Sequence, residues 1–355
     1  MISKQSFTEE HINSMRTKYP RLDKQLIERT IFALGLLEAL IKVKLPFIFK
    51  GGTALMLLLT RPYRLSTDID IIVDPSCDIN EYLKAVSEIY PFIHMEESIR
   101  MGKNEIIKKH YKFFYKSPLS DSEIPILLDV LFEKNGYEKI IPKEIKNEFL
   151  LTEGESIYVD LPSIESILGD KLTAFAPNTT GIEYEYVNSQ GNKVEKTLEV
   201  MKQFLDVSQL IKEVVHFSEV VNTYQKIVSN EIKYRGIDVT PNGCLMDSFN
   251  TALSIFTRGG FNKAEYIHLL AGIRKIQNHI IGLDFSGETA YLYANTVMVF
   301  VAKMLKNNEN IEFTEQELFV DSMYKAVNSI RRLNKEVFDS AATAIRLVHY
   351  GEQQK

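Results

Sequence analysis

The stretch FKGGTALMLLLTRPYRLSTDIDIIV, residues 49–73, decides the fold. It begins at the end of a short apolar strand, PFIF at 46–49, and two adjacent glycines, Gly51 and Gly52, follow almost at once. Thr53 then stands as the expected N-cap of ALMLLL, an unbroken apolar run that lacks the alternation of a half-exposed strand and reads as a buried helix. From Asp68 the texture changes: DIDIIV alternates and then turns wholly apolar, as a central strand does. Side chains on a strand alternate with period two, so Asp68 and Asp70 project to one face. Paired carboxylates suit a hard divalent cation, Mg2+ or Mn2+; Mg2+ is usually shared with substrate phosphates. Glycines ahead of a helix let backbone approach a phosphate, which the helix N-terminus attracts through unpaired N–H groups and its dipole. Strand, Gly-Gly turn, helix and Asp-x-Asp strand together describe a phosphate cradle facing a metal site. Neither half says much alone, and the joint spacing carries the reading.

Composition narrows the class. The chain has 355 residues, 45% of them hydrophobic, which suits a globular protein with one large or two smaller domains. Its net charge of −5 advertises no global basic field, so a nucleic-acid partner must meet a local patch. Cys77 and Cys244 lie far apart, which argues against a disulfide framework and suits a reducing cytosol. The N-terminal residues are polar and mixed in charge, unlike a signal peptide, and the apolar stretch TVMVFVAKM is broken by Lys303, far short of a membrane span. The expectation is a cytoplasmic protein with no membrane partner.

Outward from the opening stretch, residues 24–43 repeat apolar side chains at helical spacing. Residues 79–90 read as a helix, and HMEESIRM, HYKFFYK and IPILLDVLF as three further strands separated by turn-rich segments. After about residue 160 the texture becomes helical. SIESILGDKLTAFA is an expected helix, and 182–200 an exposed hairpin or loop around Gly191. Expected helices follow over 199–214, 218–232, 245–257, 261–279, 288–306, 316–332 and 335–348. The expected division is a sheet domain with N-terminal helices over 1–160 and a mainly helical domain over 161–355.

IPILLDVLF adds a third carboxylate, Asp129, alone among apolar residues. A buried carboxylate needs compensation, so it is either a further metal ligand on a neighbouring strand or faces solvent at an edge. The aromatics of HYKFFYK read as core, and the histidines show no zinc-ligand spacing.

GGTAL, RLSTDIDIIV and LLDVLF together resemble the DNA polymerase β-type nucleotidyltransferase superfamily and, within it, the AbiEii/AbiGii toxin family. GDKLTAFAPNTTGI and KQFLDVSQL resemble that family's downstream lysine and aspartate motifs, so the likeness covers about residues 45–210. It implies an α+β fold, a polymerase β-like mixed-sheet domain followed by a helical C-terminal domain. It further implies that Gly51, Gly52, Thr53, Arg64, Ser66 and Lys171 bind a nucleoside triphosphate. Asp68, Asp70 and, less directly, Asp129 would bind the metal, and Asp68, Asp70, Lys171 and Asp206 would carry catalysis. Where many members place Arg-Asp ahead of the later aspartate, this chain has Lys202 and Gln203, which leaves the ion pairing there open.

The implied activity is metal-dependent transfer of a nucleotide from an NTP, with release of pyrophosphate. The resemblance also implies a growth-arresting toxin, a tRNA 3′ end as acceptor and a cognate antitoxin encoded nearby. Nucleotidylation of a small molecule or protein, and a catalytically inactive nucleotide-binding module, are the alternatives. An RNA acceptor needs a concentrated basic face, and two clusters offer one: Lys103, Lys108, Lys109, Lys112 and Lys116, and Arg331, Arg332 and Lys335. Both clusters could equally be ordinary solvated faces.

Overall fold

A computed structural model describes residues 1–98, 108–188 and 190–351. The chain divides into two compact units, Met1–Ser163 with Asn278–Leu283, and Ile164–Gln277 with Asp284–Lys355.

The first unit runs α1 (Glu9–Lys18), α2 (Lys24–Lys42), β1 (Ile48–Lys50), α3 (Gly51–Leu58), β2 (Ile69–Val73), α4 (Asn80–Ser87) and β3 (Phe92–Ser98). It continues with β4 (Lys108–Lys116), β5 (Glu123–Phe132), β6 (Ile140–Glu144) and β7 (Tyr158–Pro162). The expected strand HMEESIRM therefore holds as far as Ser98, and its last residues lie outside the described ones. Five strands form one mixed sheet in the order β1-β2-β5-β4-β3. Only the β2–β5 pairing is parallel. The α+β class with a mixed sheet is thus as expected.

Period-two alternation gives this sheet two unlike faces. Phe49, Ile71, Val130, Ile69, Leu128, Tyr111, Phe113 and Tyr115 are buried on one side. Helix α2 packs there, its Phe32 ring stacked on Tyr115 with centroids 3.6 Å apart. Asp23 caps α2 by accepting from the N–H groups of Gln25 and Leu26 at 2.9 and 3.0 Å. Each large apolar side chain that α2 buries contributes about 1.5–3 kcal/mol, so this face holds the unit together. The opposite face carries Lys50, Asp70, Asp129, His110 and Lys112, all half-buried. A two-stranded antiparallel pair, β6 with β7, forms a second sheet, with β7 packed near β1.

The second unit is mainly helical: α5 (Ile164–Ala174), a small hairpin β8 (Glu185–Val187) and β9 (Lys193–Glu195), α6 (Thr197–Leu210), α7 (Phe217–Arg235) and α8 (Pro241–Phe256). Then come α9 (Lys263–Lys275), α10 (Ala290–Lys306), α11 (Ile330–Leu333) and α12 (Lys335–Ile345). The hairpin forms around Gly191, which takes φ +79° as a turn glycine. The helix expected over 316–332 does not form. Asn328 instead grips the backbone of Phe319, accepting from its N–H and donating to its carbonyl, both at 2.8 Å. Such side-chain bonds compete with helical ones. What remains is a 3-10 turn, Lys325–Ser329, and the single turn of α11. No helix among the described residues is long and apolar enough to cross a membrane.

Candidate active site

The site begins with sheet register. Lys50 is paired with Asp70 across β1–β2, Asp70 with Asp129 across β2–β5, and Asp129 with His110 across β5–β4. Residues directly opposite one another share a face, so these four side chains form one row across four strands. The next row toward the C-terminal end of β2 is Ile48, Ile72, Leu131 and Lys108. Asp68 lies two residues before Asp70, just ahead of β2, and is exposed.

The Gly-Gly turn closes on this row. Gly51 has φ +81°, a left-handed conformation that a side chain would strain, and a Cβ there would overlap the Asp70 carboxylate. A Cβ on Gly52 would lie 2.5 Å from the Arg64 guanidinium and 2.9 Å from the Ser66 hydroxyl. The two glycines therefore bring the start of α3 against Asp70 on one side and Arg64 and Ser66 on the other. Helix α3 starts at Gly51, and its N-cap residue Lys50 makes no side-chain cap. Arg64 is buried, 5% exposed, with Nη1 donating to the Leu65 carbonyl at 3.1 Å. Its segment is pinned by Asn278–Leu283: Leu65 N–H donates to the His279 carbonyl and Ile281 N–H to the Tyr63 carbonyl, both at 2.8 Å.

Thr53 differs from its expected place. Lys50 occupies the N-cap position and Thr53 lies inside the helix, fully buried, with its hydroxyl donating to the Asp68 carbonyl at 2.6 Å. It ties α3 to the residue that opens the carboxylate pair. Thr30 of α2 does the same for Ser66, donating to its carbonyl at 3.0 Å.

Asp129, a further expected metal ligand, has a partner that spacing did not disclose. His110 Nδ1 lies 2.7 Å from Asp129 Oδ1, with side-chain exposures of 17% and 39%. The pair lines a small cavity of about 110 Å3 together with Lys50, Asp70, Lys108 and Leu131. Among the described residues no group of three or more His, Cys, Asp or Glu side chains is arranged to hold a metal ion. The protein alone therefore offers no complete cage. Two neighbouring carboxylates on one face nevertheless fit Mg2+, which needs only one or two protein carboxylates when phosphate oxygens complete its shell.

Lys171 and Asp206 meet inside the second unit. Lys171 Nζ lies 2.9 Å from Asp206 Oδ2 and donates to Gln203 Oε1 at 3.0 Å, with side-chain exposures of 8% for the lysine and 0% for the aspartate. Gln203, one of the two departures from the resembled motif, joins the pair as an acceptor. Of the basic clusters, Lys103 lies outside the described residues. Lys108 and Lys112 share the face of the carboxylate row, whereas Lys109 is on the other face and Lys116 pairs with Asp121 at 3.2 Å. Arg331 and Lys335 are both engaged by Glu315, at 3.5 and 3.0 Å.

A glycine-led helix start beside carboxylates on a mixed sheet suits the nucleotidyltransferase class of enzyme, and comparison with known families gives that class. The model of the nucleotidyl transferase AbiEii toxin family, of type IV toxin–antitoxin systems, matches residues 36–266, well over half of the chain. The chain belongs to this family. Among solved structures it is similar to JHP933 from Helicobacter pylori, at 14% identity and TM-score 0.44, over 88% of this chain and 99% of that one. It is also similar to a candidate nucleotidyltransferase of Helicobacter pylori, at 16% identity and TM-score 0.45, over 80% and 99%. An antigenic nucleotidyltransferase-like protein from Paracoccidioides brasiliensis shows 16% identity and TM-score 0.37, over 59% and 89%. No curated protein matches. Family membership makes the chain a nucleotidyltransferase whose substrate is a nucleotide and whose system includes a cognate antitoxin.

Proposed function

We propose that this toxin transfers a nucleotide from an NTP to an RNA hydroxyl, that of a tRNA 3′ end, with Asp68 and Asp70 holding Mg2+ or Mn2+. The observation that carries the reading is the contact of Gly51 with Asp70, which puts a helix start and a carboxylate row side by side. Bound metal would neutralise phosphate charge and lower the pKa of the attacking hydroxyl. The chain's own groups do the rest. The first N–H groups of α3, at Gly51, Gly52 and Thr53, face the anion, and Arg64 and Ser66 flank Gly52 to orient the β- and γ-phosphates. The acceptor oxygen attacks the α-phosphorus and its proton leaves toward the carboxylate row. The bond from that phosphorus to the bridging oxygen breaks, and pyrophosphate departs with the electron pair. Lys171 and Asp206 are assigned to the nucleotide by the family resemblance, with Asp206 orienting the lysine.

The test is incubation of the purified protein with each α-labelled NTP, Mg2+ and total cellular RNA. Label on tRNA supports the reading. Label on a protein or small molecule alone would replace the acceptor, and no transfer from any NTP would sink the whole assignment.

A further inference from the structure

A cavity of about 630 Å3 in the first unit has no role in the chemistry described so far. Its floor includes Ile48 and Ile72, the row next to Lys50–Asp70–Asp129–His110 on the same sheet face. Two residues along a strand span about 7 Å, so the cavity opens roughly one sugar's width from the carboxylates. It lies past the C-terminal end of β2, where Asp74 and Glu133 line it. The Gly52, Arg64 and Ser66 cluster lies at the opposite, N-terminal end of β2. The carboxylate row thus separates the phosphate cradle from this cavity.

In-line displacement requires the attacking oxygen to approach opposite the leaving pyrophosphate. If pyrophosphate departs on the Gly52 side, the acceptor stands on the Ile72 side. We infer that the cavity binds the terminal nucleoside of the RNA acceptor, an assignment that rests on the proposed transfer reaction. Its size lies within the roughly 300–1,000 Å3 of small-molecule sites. Its chemistry suits a base: Ile48, Ile72 and the exposed ring of Tyr158 offer apolar and stacking surface. Asp74, Glu133 and Asp160 outnumber Lys44 and Lys134 on its walls, which disfavours phosphate and favours amino groups. Hydrogen bonds from Ser76, through its hydroxyl and its N–H, hold the Asp74 carboxyl below the usual range, so it stays an anion. The site therefore selects a base with an exocyclic amine over uracil.

Tyr158→Ala and Lys134→Trp test this at exposed positions, one removing the ring and one filling the mouth. With deacylated total tRNA as the acceptor, each should raise the acceptor KM at least ten-fold and leave the NTP KM and the melting temperature unchanged. A transcript ending in adenosine should be labelled at least ten-fold faster than the same transcript ending in uridine. Parent-like acceptor KM in both variants, or equal rates on the two transcripts, would overturn the cavity assignment while the transfer reaction stands. A parent that labels only protein would overturn the nucleoside assignment, and a parent that labels nothing would overturn both.

Discussion

Asp70 and Asp129 face each other as register partners on the parallel strands β2 and β5, each with a basic neighbour outward in the same row, Lys50 beside Asp70 and His110 beside Asp129. Adjacent strands are about 4.8 Å apart, so the two carboxylates repel unless a cation sits near them.

Asp68→Asn and Asp70→Asn should each lower transfer by at least two orders of magnitude. Each variant removes one negative charge from the group of carboxylates, so melting temperatures should stay level or rise. Activity assays paired with thermal unfolding read both effects. Parent-level transfer in the two variants would remove them from the chemistry.

His110 should act through Asp129, by holding its Oδ1 at 2.7 Å. Asparagine places an amide near the position of Nδ1 and glutamine does not. His110→Asn should retain most of kcat, while His110→Gln should lose ten-fold or more with little change in the NTP KM. The reverse order, with His110→Gln retaining kcat and His110→Asn losing it, would mean that the other ring nitrogen matters instead.

Gly51→Ala meets two penalties, a φ of +81° and overlap with the Asp70 carboxylate. The backbone term alone costs about 1–2 kcal/mol. Chemical denaturation should show at least that loss, together with loss of nucleotide-dependent thermal stabilisation.

Lys171→Ala should destabilise the second unit, because Asp206 is fully buried and loses an ammonium at 2.9 Å. Breaking such a pair costs about 3–5 kcal/mol. Nucleotide binding measured well below the variant's own melting temperature separates this cost from a phosphate contact. If the folded variant binds NTP as tightly as the parent, Lys171 is structural only.

A pH effect is expected from the second unit. Asp247 is buried, accepts from the Asn178 N–H and side chain at 2.8 and 2.7 Å, and lies near the Glu265 carboxylate. Burial, opposed by hydrogen bonds and reinforced by Glu265, raises its carboxyl above the ordinary 3.8. A raised folded value means the stabilising contribution is complete below 3.8 and is lost as pH rises through the folded value. Relative to the parent, Asp247→Asn should therefore gain stability as pH rises from 4 toward neutrality, on the linkage argument alone. A constant difference in melting temperature across that range would contradict it.

Much of this was legible in sequence, for physical reasons. Helix α2 and the β1–α3–β2 unit announce themselves through period and glycine placement, and the family motifs supply the nucleotidyltransferase class. The His110–Asp129 contact was not legible, because strand register across 19 residues sets it and no local spacing does. Thr53 looked like a cap because hydroxyl caps often precede apolar helices, yet the helix starts two residues earlier at Gly51. The pinning of Arg64 by Asn278–Leu283 is a long-range contact with no local signature. In the lost helix at 316–332, Asn328 takes the N–H and carbonyl of Phe319, Asp339 the N–H of Gln316 and Arg346 the carbonyl of Glu317, backbone groups that a helix would use.

The most direct test of the central claim is transfer from α-labelled NTP to deacylated tRNA, with Mg2+ and with a chelator, by the parent and by Asp70→Asn. Labelled tRNA with matching pyrophosphate release, seen only for the parent with metal, is the predicted result. Labelling that persists in chelator, or at the parent rate in Asp70→Asn, would contradict it.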